Sequence, residues 1–216
     1  MNLKTLIIIR NRLTLAVKLA DWCFRMKLEP IFIDNGSDYP DLLKYYKKTK
    51  YQVYPLNGNY GHTCVWNPDL NILGNLGITG RYIVTDSDLD LSGVPADFLA
   101  LMNKGLDKYE VDKCGLSLEI DDLPNSKEGN YIRFQCEAKY WKTALDGQFF
   151  KADTDTTFAL YREGAGYSHS AVRTNRPYTA KHIPWYYTDF NSLPEDEKYY
   201  FTTASESSSG KKRLMV

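Results

Sequence analysis

The sequence predicts an α/β protein built on a doubly wound sheet, in which mostly parallel strands are flanked by helices. Two observations support this prediction. Short, continuously apolar segments such as TLIII (5–9) are typical of strands that are buried on both faces, as in parallel sheets. They alternate with segments whose apolar residues recur at helical spacing, in the order β-α-β-α-β with short connections.

Three strands and two helices are predicted in the first part of the chain. The strands cover 5–9, 30–37 and 51–56. The helix after the first strand has an apolar face formed by Leu15, Leu19, Trp22 and Met26. We expect Asn11 to cap the amino terminus of this helix, and Pro40 to lie in the first turn of the second helix.

The pattern is less regular along the rest of the chain. Residues 57–80 are rich in Gly and Asn, which favours irregular structure. A polar loop (121–130) and an aromatic segment (131–141) are also expected to be irregular. We assign 1–204 to one domain and 205–216 to a polar tail, a possible linker to a further domain. Further strands are expected at 81–88, 114–120 and 156–162, and a helix at 94–105.

Composition excludes several classes of protein. Lys plus Arg and Asp plus Glu both total 27, so no field that would bind nucleic acid is expected. The four cysteines are widely spaced, which argues against a zinc ribbon or a disulfide framework and favours a reducing compartment. The apolar run near the start is too short for a signal peptide or a membrane anchor. We therefore predict a cytoplasmic protein without membrane insertion.

Three polar clusters follow predicted strands: RNR (10–12), DNGS (34–37) and DSD (86–88). Ligands of open α/β sheets bind at the carboxyl ends of the strands, so these clusters should meet at one edge. Asp86, Asp88 and Asp90 alternate along an extended chain and should project from the same side. Because like charges repel, a compensating group is expected nearby.

These clusters suit a nucleotide at the sheet edge. Asp34 can accept a hydrogen bond from a uracil N–H or a ribose hydroxyl, although DNG is also strong turn chemistry. Arg10 or Arg12 can contact the base or a diphosphate. Carboxylates beside a diphosphate require a divalent cation, and Mg²⁺ or Mn²⁺ often links one or two carboxylates to phosphates. The alternative for DSD is an ordinary acidic turn.

Other motifs are absent from the sequence. The glycines of GNLGITG (74–80) fit neither the dinucleotide fingerprint nor the Walker pattern. There is no G-x-S-x-G elbow for a hydrolase nucleophile. A sugar-phosphate nucleotidyltransferase is disfavoured because it would have a Gly-rich loop after the first strand, and IIIRNRLT (7–14), at the end of that strand, has none.

The ordered set LIIIRNR, IDNGS, TDSD, ADTDTTFALYR and KHIPW resembles the GT-A glycosyltransferases. The likeness is greatest to chlorovirus members that glycosylate the major capsid protein, and it extends up to the Ser-rich tail. The resemblance implies a single Rossmann-like GT-A domain with a mixed, mostly parallel central sheet flanked by helices. It also implies a transferase that takes its sugar from a nucleotide-sugar.

The resemblance also assigns residues. It implies that Asp86, Ser87 and Asp88 contact the nucleotide-sugar, with Asp86 and Asp88 binding Mn²⁺ or Mg²⁺. Asp34 and the arginines Arg10 and Arg12 would hold the uridine. His182 matches a late-chain metal ligand, although a lone histidine is more often structural.

The catalytic base is expected in ADTDTTFALYR. An inverting transferase needs a group that removes the acceptor proton, and Asp155 is favoured over Asp153 because it lies nearer the buried segment. Asp155 could instead cap or form a turn, and a retaining enzyme would not need this base. Trp66 is a candidate for binding the donor sugar, with core packing as the alternative; Trp141 and Trp185 are further candidates.

The sequence thus predicts a metal-dependent hexosyl- or deoxyhexosyltransferase that uses a UDP-sugar donor. The expected acceptor is a glycan or glycoprotein, specifically a capsid protein glycan, in the host cytoplasm if the protein is viral. The alternative is a nucleotide-sugar or glycan-binding module that lacks catalysis. The sugar, the linkage, the stereochemical outcome and the oligomeric state are not determined by the sequence.

Overall fold

Strands and helices alternate through the first part of the computed structural model, which describes residues 3–204. The strands are β1 (Lys4–Ile9), β2 (Glu29–Asp34), β3 (Gln52–Pro55), β4 (Tyr82–Asp86), β5 (Leu89–Asp90), β6 (Lys113–Gly115), β7 (Ser117–Leu118), β8 (Ala144–Asp146), β9 (Phe149–Lys151), β10 (Ala159–Tyr161), β11 (Ala171–Thr174) and β12 (Thr179–His182). The helices are α1 (Thr14–Arg25), α2 (Pro40–Tyr46), α3 (Ile72–Asn75), α4 (Phe98–Tyr109), α5 (Lys127–Tyr131) and α6 (Glu195–Thr203).

A large mixed sheet, in the order β3-β2-β1-β4-β10-β6-β11-β9-β8, forms the centre of the fold. The first four strands of the chain, β1 to β4, are parallel, with β1 paired to both β2 and β4. Antiparallel pairing begins at β10, which lies between β4 and β6. A smaller sheet has the order β5-β12-β7. The predicted α/β fold with a mixed central sheet is therefore confirmed.

Side chains of β1 alternate between two hydrophobic layers. Ile7 and Ile9 belong to the layer that includes α1 and α4, whereas Leu6 and Ile8 belong to the layer with α3. Both faces of the strand are buried, which explains its continuous apolar run. Across residues 3–204, no helix combines the length and apolar character needed to cross a bilayer.

The predictions for the chain from residue 57 onward hold in part. Residues 57–80 are mostly irregular, as predicted. The predicted strand at 114–120 is divided between β6 and β7, which belong to different sheets. The aromatic segment at 131–141 contains a π-helical turn followed by a 3₁₀ turn.

The strands β8, β9, β11 and β12 were not predicted because three or four residues are too few to show a period. The tail prediction for 205–216 lies outside the described residues.

Asp90 does not share a surface with Asp86 and Asp88, so the predicted row of three carboxylates is wrong. The chain leaves the large sheet after Asp86, where β4 ends. Asp90 then lies opposite Lys181 in the smaller sheet and lines a different cavity. Side-chain alternation holds only while the strand is continuous, and the break removes Asp90 from the set.

Asn11 does not cap α1, which corrects the sequence prediction. Its backbone has φ 56°, in the left-handed region that Asn tolerates better than most residues. Its Oδ1 accepts hydrogen bonds from the backbone N–H groups of Asp38, at 2.8 Å, and Tyr39, at 3.0 Å. Asn11 therefore organises the turn before α2 instead.

Asp196, from the last helix, provides the missing cap. Its Oδ2 accepts hydrogen bonds from the backbone N–H groups of Leu13, at 2.8 Å, and Thr14, at 2.6 Å. Its Oδ1 accepts a third bond, at 3.0 Å, from the Thr14 hydroxyl. These bonds satisfy donors that a helix start leaves unpaired, and the negative charge suits the positive end of the helix dipole. They also fasten α6 to α1.

Replacing Asp196 by Ala should lower the free energy of unfolding by about 1–2 kcal/mol, because α1 loses its cap. Asp196→Asn should lose less, since an amide oxygen can still accept. Glu195→Ala is the matched control, because Glu195 precedes Asp196 on the same helix and its side chain is 80% exposed. Urea unfolding measures all three variants. Equal stability of Asp196→Ala and Glu195→Ala would show that the cap contributes nothing.

Candidate functional site

A cavity of about 430 Å³ lies at the carboxyl ends of β1, β2 and β4, where the sequence places it. The loop after β3, the loop before β10, the end of β12 and the last helix complete its wall. Most of the predicted site residues meet there: Arg10, Arg12, Asp86, Ser87, Asp88, Asp155 and His182. Three others, Asp34, Trp66 and Asp153, are not on the cavity wall.

Asp34 is buried beneath the cavity edge. Its Oδ1 accepts hydrogen bonds from the Ser37 backbone N–H, at 3.3 Å, and the Tyr46 hydroxyl, at 3.2 Å. Burial raises the pKa of Asp34, and the bonds to Ser37 and Tyr46 oppose that rise. These contacts suit the turn that DNG favours, and the role of Asp34 in binding uridine stays a prediction.

Asn35, rather than Asp34, is the residue of the DNGS cluster that lines the cavity, although no role was predicted for it individually. Its Nδ2 donates to the carbonyl of Gly61 at 2.9 Å, and its Oδ1 accepts from the Tyr60 N–H at 2.7 Å. Gly36 has φ 72°, and a Cβ there would lie 2.7 Å from the backbone of Gly58. The DNG turn therefore also holds the loop after β3 in place beside the cavity, through these two hydrogen bonds.

Arg12 supplies the charge that the acidic pair requires. Its guanidinium donates a hydrogen bond to Oδ2 of Asp88, and both side chains are almost fully buried. Its Nε lies 3.1 Å from a carboxylate oxygen of Glu197, and its guanidinium stacks 3.7 Å from the ring centre of Tyr200. Both of these partners belong to α6. The last helix thus holds the arginine from one side and Asp88 holds it from the other.

The two carboxylates of DSD differ in their ionisation. Burial and the neighbouring Asp88 raise the pKa of Asp86 well above its usual value, although the Thr156 hydroxyl donates to it at 2.8 Å. Burial alone would raise the pKa of Asp88, but His182 and Arg12 outweigh it and hold that pKa below its usual range. Asp88 is therefore the first of the pair to lose its proton.

The residues around Asp88 allow a test of whether a cation fits. Oδ1 of Asp88 is buried and has no hydrogen-bond partner among the described residues, so it can accept a ligand. Nε2 of His182 lies 3.4 Å from Oδ2 of Asp88. No group of three or more His, Cys, Asp and Glu side chains within residues 3–204 is arranged to hold a metal ion. Residues 3–204 therefore form no complete metal site, and a cation bound here would have to complete its ligand set with substrate oxygens, as Mg²⁺ often does.

Two buried cations hold the loop that precedes β10. The fully buried Lys113 donates to the backbone carbonyl of Thr154, and burial lowers its pKa. Arg173 donates from Nε to the carbonyl of Asp153 at 2.6 Å and pairs with Glu137 at 3.0 Å. The backbone beside Asp155 is therefore fixed from the core.

The two aspartates of this loop point to different partners. Asp153 contacts Nδ1 of His169 at 2.5 Å and lies 3.9 Å from Nζ of Lys113. Asp155 lines the cavity, where its Oδ1 accepts a hydrogen bond from the Tyr167 hydroxyl at 3.1 Å. Nε2 of His62 lies 3.7 Å from the same oxygen. This placement favours Asp155 over Asp153 for chemistry in the cavity.

Trp66 packs behind the cavity wall. Its Nε1 donates to the hydroxyl of Tyr82 at 2.8 Å, so its polar edge is already used. Its ring lies 5.0 Å from that of Tyr161 and 5.5 Å from that of Tyr167. Core packing, the alternative stated from the sequence, describes these contacts, and a role in binding the donor sugar stays a prediction.

No protein-family model matches the chain, and no curated protein matches it. Among solved structures, it overlaps with TarS 1–349 from S. aureus at a TM-score of 0.46 and 13% identity, covering 93% of this chain and 63% of that one. It overlaps with 4-diphosphocytidyl-2C-methyl-D-erythritol synthase from Anaerococcus prevotii at a TM-score of 0.33 and 10% identity, covering 96% and 80%. Overlaps this low assign no family, so the function has to be argued from the site.

Glu197 should make the protein less stable as pH rises through weakly acidic values. Burial raises its pKa from 4.5 to about 7, with Arg12 opposing the rise. Between these two values the folded state binds more protons than the unfolded state, so the free energy of unfolding falls with pH, by on the order of 3 kcal/mol in total.

Glu197→Gln should remove this part of the pH dependence, because the amide does not titrate. Thermal unfolding from pH 4 to pH 8 measures the slope, with the exposed Glu195→Gln as the matched control. An unchanged slope in Glu197→Gln would show that Glu197 titrates at its ordinary pKa.

Proposed function

We propose that this chain is a metal-dependent glycosyltransferase that moves a sugar from a UDP-sugar donor to a glycan acceptor. One observation carries the proposal: cationic side chains, an acidic pair and a separate carboxylate line the same cavity. The cations are Arg10 and Arg12, and the acidic pair is Asp86 and Asp88. Asp155 faces the cavity from the loop before β10. Transfer from a nucleotide-sugar by a metal-dependent, inverting reaction uses each of these functions.

Arg10 supports a site for the diphosphate. It follows β1 and lines the cavity, and its buried Nε has no hydrogen-bond partner among residues 3–204. A guanidinium can donate two parallel hydrogen bonds to phosphate oxygens, which makes it well suited to this ligand. Ser87, nearly buried beside the acidic pair, offers a hydroxyl as a further donor. Asp34 and Asn35 would hold the uridine at the end of β2.

Asp86, Asp88 and His182 are not arranged as a complete ligand set, so they would hold Mn²⁺ or Mg²⁺ only together with oxygens of the donor diphosphate. When bound, the cation neutralises charge on the departing diphosphate. The raised pKa of Asp86 supports this role, since a charged Asp86 beside Asp88 needs compensation. Arg12 already neutralises the charge of Asp88, so a bound cation and Arg12 would both contact the Asp88 carboxylate.

Asp155 would act as the base in an inverting reaction. It takes the proton from an acceptor hydroxyl as the hydroxyl oxygen attacks the anomeric carbon. The new bond joins this oxygen to the sugar, and the bond between the sugar and the diphosphate breaks. The electron pair of the broken bond leaves with the nucleoside diphosphate.

The acceptor is the part of the proposal that depends on sequence resemblance alone. We infer a glycan or glycoprotein acceptor, specifically a glycan of a viral capsid protein modified in the host cytoplasm. The transferred sugar would be a hexose or a deoxyhexose. Assay of the purified chain with a panel of UDP-sugars and glycopeptides tests these choices.

The Arg12–Asp88 ion pair favours one alternative, a binding module that holds a nucleotide-sugar without metal or turnover. In that case Asp88 would serve Arg12 alone. Nucleotide binding that is independent of metal, together with no transfer to any acceptor, would support the alternative.

Uridine diphosphate should bind more weakly without a divalent cation. We expect affinity to fall at least about tenfold when EDTA replaces Mn²⁺, because the carboxylates then face the diphosphate uncompensated. Asp88→Asn should reproduce this loss in the presence of Mn²⁺. Asp90→Asn is the matched control, because Asp90 lies outside the cavity. Calorimetry that gives equal affinities in Mn²⁺ and EDTA would reject metal dependence.

Asp155→Asn should lower kcat by about 10² to 10⁴-fold, the usual contribution of a general base. Affinity for the donor should remain, because the base contacts the acceptor. Asp153→Asn should lose much less, since Asp153 faces His169 and Lys113. The measurement is the transfer rate at saturating donor. A larger loss in Asp153→Asn would identify Asp153 as the base, and full activity in both variants would indicate a retaining enzyme or a base elsewhere.

A further inference from the structure

The two oxygens of the Asp155 carboxylate have different surroundings. Oδ1 accepts the hydrogen bond from Tyr167 at 3.1 Å and has Nε2 of His62 at 3.7 Å. Oδ2 accepts no hydrogen bond from any side chain or N–H in residues 3–204. One oxygen is thus held, and the other is left for a ligand.

Asp155 needs such a restraint. Its side chain is 61% exposed, so without a fixed partner it would exchange among several rotamers. The buried cations described above fix the backbone beside it, but they do not contact its carboxylate. The position of the carboxylate therefore depends on the contact at Oδ1.

Tyr167 is itself well supported. Its ring lies 5.5 Å from that of Trp66 and 5.9 Å from that of His169, and Nζ of Lys113 is 4.9 Å from its centre. Burial and the charge of Asp155 raise the pKa of Tyr167 to about 12. The hydroxyl therefore keeps its proton at neutral pH and acts as the donor.

We propose that Tyr167 is a positioning residue that holds Asp155 by Oδ1 and thereby aims Oδ2 at the acceptor hydroxyl. This inference rests on the proposed function, with Asp155 as the base. The acceptor proton passes to Oδ2, the acceptor oxygen bonds to the anomeric carbon, and the diphosphate leaves with the electron pair of the broken bond. Tyr167 keeps its own proton throughout the step.

Tyr167→Phe tests this role because it removes the hydroxyl and keeps the ring. We expect kcat to fall about tenfold, since small errors in the placement of a reacting group are costly. The KM for donor and the affinity for uridine diphosphate should not change. Tyr178→Phe is the matched control, because the Tyr178 hydroxyl donates to Asp97 at 3.0 Å on a surface away from the cavity. Unchanged kcat in Tyr167→Phe would overturn the proposal.

A double-mutant cycle separates positioning from a structural effect. In an Asp155→Asn background, Tyr167→Phe should change kcat less than about twofold, because there is no base left to position. A further tenfold loss in that background would show that Tyr167 acts independently of Asp155 and would overturn the proposal. Transfer by the wild type with loss in Asp155→Asn and full activity in Tyr167→Phe would reject this inference alone. Absence of transfer by the wild type would reject the proposed function as well.

Discussion

The buried charge of Arg12 is the constraint on which the site depends. A guanidinium in the interior has to be neutralised, and Asp88 after β4, whose pKa is lowered, supplies that charge, while Glu197 on α6 lies 3.1 Å from Nε of the arginine. Removing one partner of a buried ion pair commonly costs about 3–5 kcal/mol, because the other charge remains buried and unpaired. This network therefore links the end of β1, the acidic pair and the last helix. The cap that Asp196 places on α1 strengthens the same connection.

A second set of buried cations restrains the loop before β10, which forms another part of the cavity wall. Lys113 and Arg173 extend from β6 and β11 and bond to backbone carbonyls of the loop before β10. Loops carry many functional residues, but they are mobile unless the core restrains them. Here the restraint acts on the backbone, and Tyr167 adds one on the carboxylate of Asp155. Buried side chains thus restrain both parts of the cavity wall, in addition to the backbone bond from Asp86 N–H to the Thr156 carbonyl at 2.8 Å.

Three aspartates in one cavity have three environments. Asp86 is buried beside a like charge, which raises its pKa, whereas Arg12 and His182 lower the pKa of Asp88. Asp155 is largely exposed and bonded through one oxygen. Carboxylates that differ in this way can take different roles in one reaction. We propose that the first two bind a cation and that the third accepts the proton of the acceptor.

Local pattern determined the strands around the site, because apolar runs and turn residues act over a few positions. The edge where Arg10, Asp86 and Asp88 meet follows from those strand ends, and the placement of Asp155 and His182 agreed with it. Only the tertiary structure decided how these groups are held. Asp196 and Glu197 lie more than 180 residues from the groups they contact near the start of the chain, and in the sequence they are part of an ordinary polar helix. The separation of Asp90 from its neighbours and the bond from Tyr167 to Asp155 have the same origin. Each depends on how the chain folds back on itself, and a periodic signal in sequence carries no information about that distance.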